Sequence, residues 1–352
     1  MKAADRSRAR AKLVAWFGEH ARALPWRQTS DPYAIWISEV MLQQTRVETV
    51  LRYYDRFLAR FPTVRALADA SEDDVLSMWS GLGYYRRARL LHEGVKAVVA
   101  RHGGRVPEDA EARRALPGVG RYTAGAIGSI AFDRPEPIVD GNVARVLSRL
   151  DVIEHAIGTP ASEKALWAEA SAWAAHDAPG TVNQALMELG ATVCTPTSPR
   201  CDACPLRAWC GARRADRVDE LPVPRVKKAP KEVSVVALVA RDRAGHALLV
   251  KHEANDEGGL FGGDLFKGLW SVPMQEGEGR GVARELAELH GAALDLAEPR
   301  QVIHVLTHRR LRVLVHQGRI AKARGTGRLV DPDALDGLGV ATLTKKVLAS
   351  AR

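Results

Sequence analysis

The stretch Leu116-Pro117-Gly118-Val119-Gly120-Arg121-Tyr122-Thr123-Ala124 decides how the first 214 residues are read. It is a Gly-x-Gly turn that runs straight into a helix. Gly118 and Gly120 permit backbone conformations closed to other residues and keep side chains out of the way. The N–H groups at the start of the following helix can then hold a phosphate. Taken alone, such a turn fits a plain helix–helix connection equally well. Its flanks add weight, because Ala110–Ala115 has helical periodicity before it and Thr123–Ala131 after it. Together they read as a helix–hairpin–helix, a grip on the DNA backbone that ignores base sequence.

The same periodicity extends in both directions. Tyr33–Arg46, Glu48–Phe61, Tyr85–Arg101, Arg121–Phe132, Asn142–Leu150, Pro160–His176 and Thr181–Val193 are expected as helices, separated by Pro and Gly breakers. Residues 215–231, with Pro222, Pro224 and Pro230 beside Lys227, Lys228 and Lys231, read as a semi-extended linker. Beyond it, Val233–Ala240, Ala247–Lys251, Gln301–Leu306 and Arg312–Gln317 read as strands, with a helix at Arg280–Leu289. The expected architecture is a mainly α region over 1–214, the linker, and a smaller α+β domain over 232–352.

Two carboxylates invite attention. Asp140, in Ile138-Val139-Asp140-Gly141-Asn142-Val143, follows two apolar residues and precedes a helix. It fits an N-cap, and it fits an acid facing positive charge that develops during a reaction. Glu39 lies inside the nearly continuous apolar run Ile35–Leu42. There it is either on a solvated stripe or desolvated, and desolvation would raise its pKa and suit it to general acid catalysis.

The four cysteines are confined to Cys194-x6-Cys201-x2-Cys204-x5-Cys210. Zinc sites commonly use two short Cys-x(2–4)-Cys arms. One short arm between longer loops fits an iron–sulfur cluster better and leaves zinc open. The composition is ordinary for a globular chain, with 46% hydrophobic and 26% charged residues. It excludes disordered, collagen-like and disulfide-miniprotein classes. No apolar run reaches the ~18–20 residues that span a bilayer, and the N-terminus lacks a secretory apolar region, so a cytoplasmic protein without membrane contact is expected. The net charge of +9 suits a polyanionic partner.

Taken together, the cysteine spacing, the Leu-Pro-Gly-Val-Gly hairpin and the Val-Asp-Gly-Asn segment resemble the helix–hairpin–helix DNA glycosylases related to endonuclease III. Leu24-Pro25-Trp26-Arg27, Ser38–Thr45 and Trp79–Ala88 further resemble the MutY family of adenine DNA glycosylases. The resemblance is dense over residues 10–212. It implies a monomeric enzyme that binds duplex DNA, carries a 4Fe-4S cluster on Cys194, Cys201, Cys204 and Cys210, and removes adenine paired with 8-oxoguanine or guanine. Glu39 would be the acid and Asp140 the cation stabiliser, with Tyr122 and Asn142 orienting them. Trp26, Arg27, Leu42 and Gln184 would line the adenine pocket. Gly118, Gly120 and Arg121 would grip the backbone, while Gln44 and Tyr84 wedge into the duplex. Strand-cutting relatives carry lysine where Tyr122 stands. A phenol forms no Schiff base, so base removal without strand cleavage is expected.

The second half resembles the Nudix-type domain that these enzymes use to inspect 8-oxoguanine, through Gly268-Leu269-Trp270-Ser271-Val272-Pro273. The family's Phe-Ser-His reading segment is here Leu306-Thr307-His308, so Thr307 and His308 are the expected readers without the aromatic. Arg284–Gly291 resembles the Nudix metal-binding helix, but Leu289 replaces one paired carboxylate. Nucleotide hydrolysis is therefore not expected. The segment 255–267 reads as an insertion without a functional account.

Overall fold

The computed structural model describes residues 1–225, 229–252, 266–306, 308–335 and 338–351. The helices of the first part are α1 (Ala3–His20), α2 (Pro32–Leu42), α3 (Val47–Val50), α4 (Tyr54–Arg60), α5 (Val64–Ala68), α6 (Glu72–Met78) and α7 (Arg86–His102). There follow α8 (Ala110–Arg114), α9 (Arg121–Phe132), α10 (Gly141–Asp151), α11 (Pro160–Ala174), α12 (Pro179–Thr192) and α13 (Gly211–Arg214). The later part contains β1 (Lys231–Arg241), β2 (Ala247–Lys251), β3 (Trp270–Ser271), β4 (Met274–Glu276), α14 (Gly279–His290), β5 (Ala293–Leu294), β6 (Arg300–Val305), β7 (Arg309–Arg319), β8 (Arg328–Val330) and α15 (Thr342–Ser350). They form two compact units. One is Met1–Asp69 with Leu90–Lys227, and the other is Ala70–Arg89 with Lys228–Arg352.

In the first unit α2 is apolar apart from Ser38 and Glu39, and every residue from Tyr33 to Met41 is buried. Asp31 caps it by accepting from the Tyr33 N–H, and Pro32 occupies the first turn. Helix α9 packs on α2, and α12 packs on α1, α9, α10 and α11. The hairpin expected from sequence is present. Asp109 caps α8, and the turn closes through the Val119 N–H and the Leu116 carbonyl at 3.1 Å. Gly118 has φ +74°, and a Cβ there would lie 2.7 Å from that of Leu90. Only glycine satisfies both conditions. Fully buried Arg113 donates to the Ala124 carbonyl at 3.2 Å and pairs with Glu136, which pins α8 to α9.

Two helices differ from expectation. The first ends at Leu42 rather than Arg46, because Gln44 takes a left-handed backbone (φ 57°). Glu48–Phe61 is not continuous and divides into α3 and α4. Arg52 and Tyr53 donate to carbonyls three residues back, at 3.1 and 2.9 Å, which tightens the turn after β-branched Val47, Thr49 and Val50.

The second unit is built on a mixed sheet with strand order β3-β2-β1-β7-β5. β1 and β7 are parallel and in register from Lys231↔Arg309 to Arg241↔Arg319. β4 adds to β1, β6 to β7 and β8 to β2, all antiparallel. Helix α14 covers one face through Ala283, Leu286 and Ala287, packed with Val236, Leu238, Ala240 and Leu248. The segment 70–89 is part of this unit. Lys251 Nζ lies 2.6 Å from Asp73, and Tyr85 Oη donates to the Val340 carbonyl at 2.9 Å. A Cβ on Gly268 (φ +74°) would come within 2.7 Å of Glu72 and 3.2 Å of Leu76, so this glycine admits α6 to the core. The insertion at 255–267 lies outside the described residues except for Phe266 and Lys267.

Candidate active site

Helices α2, α9, α10 and α12, with the short 3₁₀ turn Pro25–Arg27, surround a cavity of about 750 Å³. Its walls bring together residues far apart in sequence: Trp26, Arg27, Glu39, Leu42, Gln44, Gly118, Gly120, Arg121, Tyr122, Asp140, Asn142 and Gln184 all line it.

Glu39 sits on α2 and is 5% exposed. Burial pushes its pKa up to about 7, and the Asp140 charge adds to this. Tyr122 Oη, which donates to Glu39 Oε2 at 2.7 Å, and the Arg27 charge both oppose the rise. The Tyr122 phenol is itself held well above its ordinary value by burial and the two nearby carboxylates, so it stays protonated. It also lies 3.4 Å from Met187 Sδ.

Asp140 is the N-cap of α10, and its Oδ1 accepts from the Val143 N–H at 2.7 Å. Its Oδ2 accepts from Asn142 Nδ2 at 3.0 Å. The capping geometry does not compete with a place in the cavity, because the cap is at the cavity wall. Burial raises the Asp140 pKa, opposed by the Val143 N–H, the Asn142 side chain and N–H, and the Arg145 charge. Asp140 therefore has more donors favouring its anion than Glu39 has, although both are buried.

Arg145 links this centre to the cysteine loop. Its Nη2 donates to Asn142 Oδ1 at 2.8 Å, and its Nε to the Cys194 carbonyl at 2.7 Å. One turn later Arg149 Nη1 reaches Cys194 Sγ at 3.3 Å and the Thr195 carbonyl at 2.8 Å. Cys194, Cys201, Cys204 and Cys210 line one small cavity with Arg149, Arg207 and Arg213. Burial pushes the Cys204 thiol up to about 12, with the other three thiols adding to the rise. Among the described residues no three His, Cys, Asp or Glu side chains are grouped as a single metal ion requires.

Gly120 caps α9 and Arg121 opens it, its guanidinium stacked 3.8 Å from the Trp167 ring. Trp26 packs edge-on to Tyr54 at 5.4 Å while also lining the cavity. Gln44 and Tyr84 share a feature that the sequence does not display. Both are non-glycine residues in left-handed backbone, φ 57° and 50°, a conformation that costs energy and recurs at functional sites. Tyr84 belongs to the second unit. It is 49% exposed, with the Arg87 guanidinium 5.3 Å from its ring and 5.5 Å from that of Trp79. His308 is exposed beside β7, and its carbonyl accepts from the Lys231 N–H at 3.0 Å. Thr307 lies outside the described residues.

Sequence reasoning missed Arg22, Met187, Glu188 and Arg145. Glu188 is fully buried and accepts from both Arg22 and Arg27. Burial alone would raise its pKa, but the two guanidinium groups outweigh it and hold the carboxyl at about 2. A usable signal existed: Glu188 follows Gln184 by one helical turn and is the one charged residue between Pro179 and Thr192.

Residues 37–171 match the family described as HhH-GPD superfamily base excision DNA repair protein, and residues 236–350 match the NUDIX domain. The adenine DNA glycosylase of Homo sapiens is 46% identical over 221 residues, covering 60% of this chain and 40% of the human protein. The chain thus spans less than half the length of that relative. The adenine DNA glycosylase of Buchnera aphidicola subsp. Acyrthosiphon pisum is 35% identical over 245 residues, covering 69% of this chain and 67% of the relative. The solved structure of a thermostable thymine-DNA glycosylase superposes with a TM-score of 0.53 at 28% identity, over 60% of this chain and 97% of that one.

Proposed function

Because the chain belongs to the adenine DNA glycosylase family, we propose that it hydrolyses the N-glycosidic bond of adenine paired with 8-oxoguanine, or less efficiently with guanine, in double-stranded DNA. The observation that carries this reading is the pair of buried carboxylates on one cavity wall, Glu39 with one phenolic donor and Asp140 with several N–H donors. Two buried acids with unequal donor sets, one phenol against several N–H groups, can divide acid and electrostatic work between them.

In this reading adenine is flipped out of the stack at a cost of a few kcal/mol and enters the cavity against Trp26, Leu42 and Gln184. Protonated Glu39 delivers its proton to N7, so the base departs neutral. The deoxyribose left behind carries oxocarbenium character, which the Asp140 anion stabilises until water adds and gives up a proton to the now ionised Glu39. Asn142 and Arg145 hold that anion in place, and Tyr122 fixes the rotamer of Glu39. With tyrosine rather than lysine after Arg121, no Schiff base forms and the strand stays intact. Gln44 and Tyr84 would fill the gap in the stack, Gly118, Gly120 and Arg121 would hold the backbone, and Thr307 and His308 would read the oxidised guanine. The protein would act as a monomer on cytoplasmic DNA, the nucleoid in a bacterium.

The cysteine loop fits a 4Fe-4S cluster. Four thiols line one cavity, and buried Arg149 and nearby Arg207 and Arg213 would balance a cluster's negative charge. When bound, the cluster would cross-link the loop through thiolates. Iron analysis checks this: about four irons per chain are expected, whereas one zinc and no iron would refute it.

The activity is tested on duplexes carrying adenine opposite 8-oxoguanine, guanine or thymine, and on an oxidised pyrimidine, with alkali used to cut abasic sites. Excision from the first two is expected. Action on the pyrimidine alone, or strand cutting without alkali, would overturn the reading.

A further inference from the structure

We propose that Glu188 is a positioning residue for base excision: it binds Arg27 and Arg22 as a partly neutralised triad in the cavity wall, and so keeps the Arg27 charge from drawing Glu39 into its ionised form. The proposal rests on the reading of Glu39 as the proton donor. Helix α12 turns Gln184, Met187, Glu188 and Ala191 to the cavity at helical spacing. The Glu188 side chain is wholly shielded from solvent, and its oxygens are saturated. Oε1 accepts from the Arg22 N–H at 3.1 Å and Nε at 2.8 Å, while Oε2 accepts from Arg22 Nη2 at 2.8 Å and Arg27 Nη2 at 2.7 Å.

Arg27 is thereby fixed. Its Nη1 donates to the Arg22 carbonyl at 3.1 Å, and its guanidinium lies over the Phe17 ring at 5.2 Å. A buried carboxylate tied to two guanidinium groups at the edge of a reaction cavity does more than stabilise the fold, because the charge it cancels faces the reacting acid. The charged and titratable groups around Glu39 come from four elements. They are Tyr122 of α9, Asp140 of α10 with Arg145 behind it, Arg27 of the 3₁₀ turn, and Glu188 of α12 behind Arg27. Arg22 is also faced by Glu48 of α3. Of these, Arg27 is the cation whose charge favours the Glu39 anion. Removing the Glu188 charge leaves the buried Arg27 guanidinium without its carboxylate and Arg22 with Glu48 alone, and an uncompensated cation lowers a nearby carboxyl pKa.

The experiment is the single-turnover rate of adenine removal from A:8-oxoguanine duplex as a function of pH, with enzyme in excess. In Glu188→Gln the fall in rate on the alkaline side is expected to move about one pH unit lower, while Glu188→Asp, which keeps the charge, leaves it in place. An unmoved limb in Glu188→Gln, with rate lost evenly at all pH values, would make Glu188 merely structural and overturn the proposal. Should Glu188→Gln fail to fold, the double variant Arg27→Met/Glu188→Gln decides. If the two charges cancel at Glu39, the limb stays within about 0.3 pH unit, and an upward move of a full unit, as for loss of Arg27 alone, shows that Glu188 never offset it and overturns the proposal. No adenine removal by the unaltered protein on any duplex would sink the reading of Glu39 and this proposal with it. Removal with an unmoved limb sinks the proposal alone.

Discussion

In the cavity of the first unit, Glu39 meets Tyr122 at 2.7 Å, Asp140 meets Val143 at 2.7 Å and Asn142 at 3.0 Å, and Glu188 meets Arg27 at 2.7 Å. All of these groups are held by packed helices. At the β6–β7 turn of the second unit, His308 stands exposed at the end of a hairpin whose Leu306 N–H donates to Arg309 O at 2.8 Å. The first region is preorganised: its carboxyl groups are held by protein donors already in place. The second presents an exposed side chain that, in the proposed reading, would find its partners on DNA. Chemistry can be argued from the first region by itself. Recognition at the second becomes arguable only through what the duplex offers.

The largest effect that would break this contrast comes from Glu39→Gln. Loss of the acid is expected to slow single-turnover excision by ~10²–10⁴-fold, with duplex affinity within about twofold of normal. Retained activity would show that the buried carboxyl is structural. Asp140→Asn keeps the helix cap but removes the charge, and a loss of ~10²–10³-fold is expected, again with binding retained. Gel-shift titration beside quenched-flow excision measures both.

Next comes pH. In the proposed reading Glu39 works in its protonated form, and its pKa is pushed up to about 7, so the excision rate should fall as pH rises through that value. Asp140 works as the anion with a raised pKa, so the rate should fall again on the acid side. Tyr122→Phe removes a donor that favours the anion. The alkaline limb should then shift to higher pH, and a downward shift would contradict the hydrogen-bond direction. The smallest effect belongs to the exposed region. His308→Ala should reduce the preference for A:8-oxoguanine over A:G by roughly tenfold, as the loss of one base contact does. Excision from A:G should remain within about twofold.

Legibility in the sequence follows the same division. The hairpin could be read because Gly118 and its flanking periodicity are local, and Asp140 because a cap lies next to the helix it caps. Glu39 could be located but not interpreted: an acid in an apolar run is ambiguous until Tyr122 and Asp140, 83 and 101 residues away, are placed beside it. Glu188 was missed for a related reason, since its meaning depends on Arg22 and Arg27 at the other end of the unit. Strands β3, β5 and β8 have two or three residues, too few for alternation to register. The left-handed backbone of Gln44 and Tyr84 is invisible in sequence because neither residue favours it.

The place of residues 70–89 in the second unit has a consequence for synthesis. Trp79 is fully buried and Tyr85 nearly so, and Tyr85 bonds to Val340, which is made 255 residues later. At roughly 5–20 residues per second, these aromatic side chains leave the ribosome roughly 13–50 s before that partner exists. Through that interval the nascent first unit carries an unsatisfied apolar loop. Chaperone binding during translation should therefore concentrate on this loop and end when the last strands and α15 emerge.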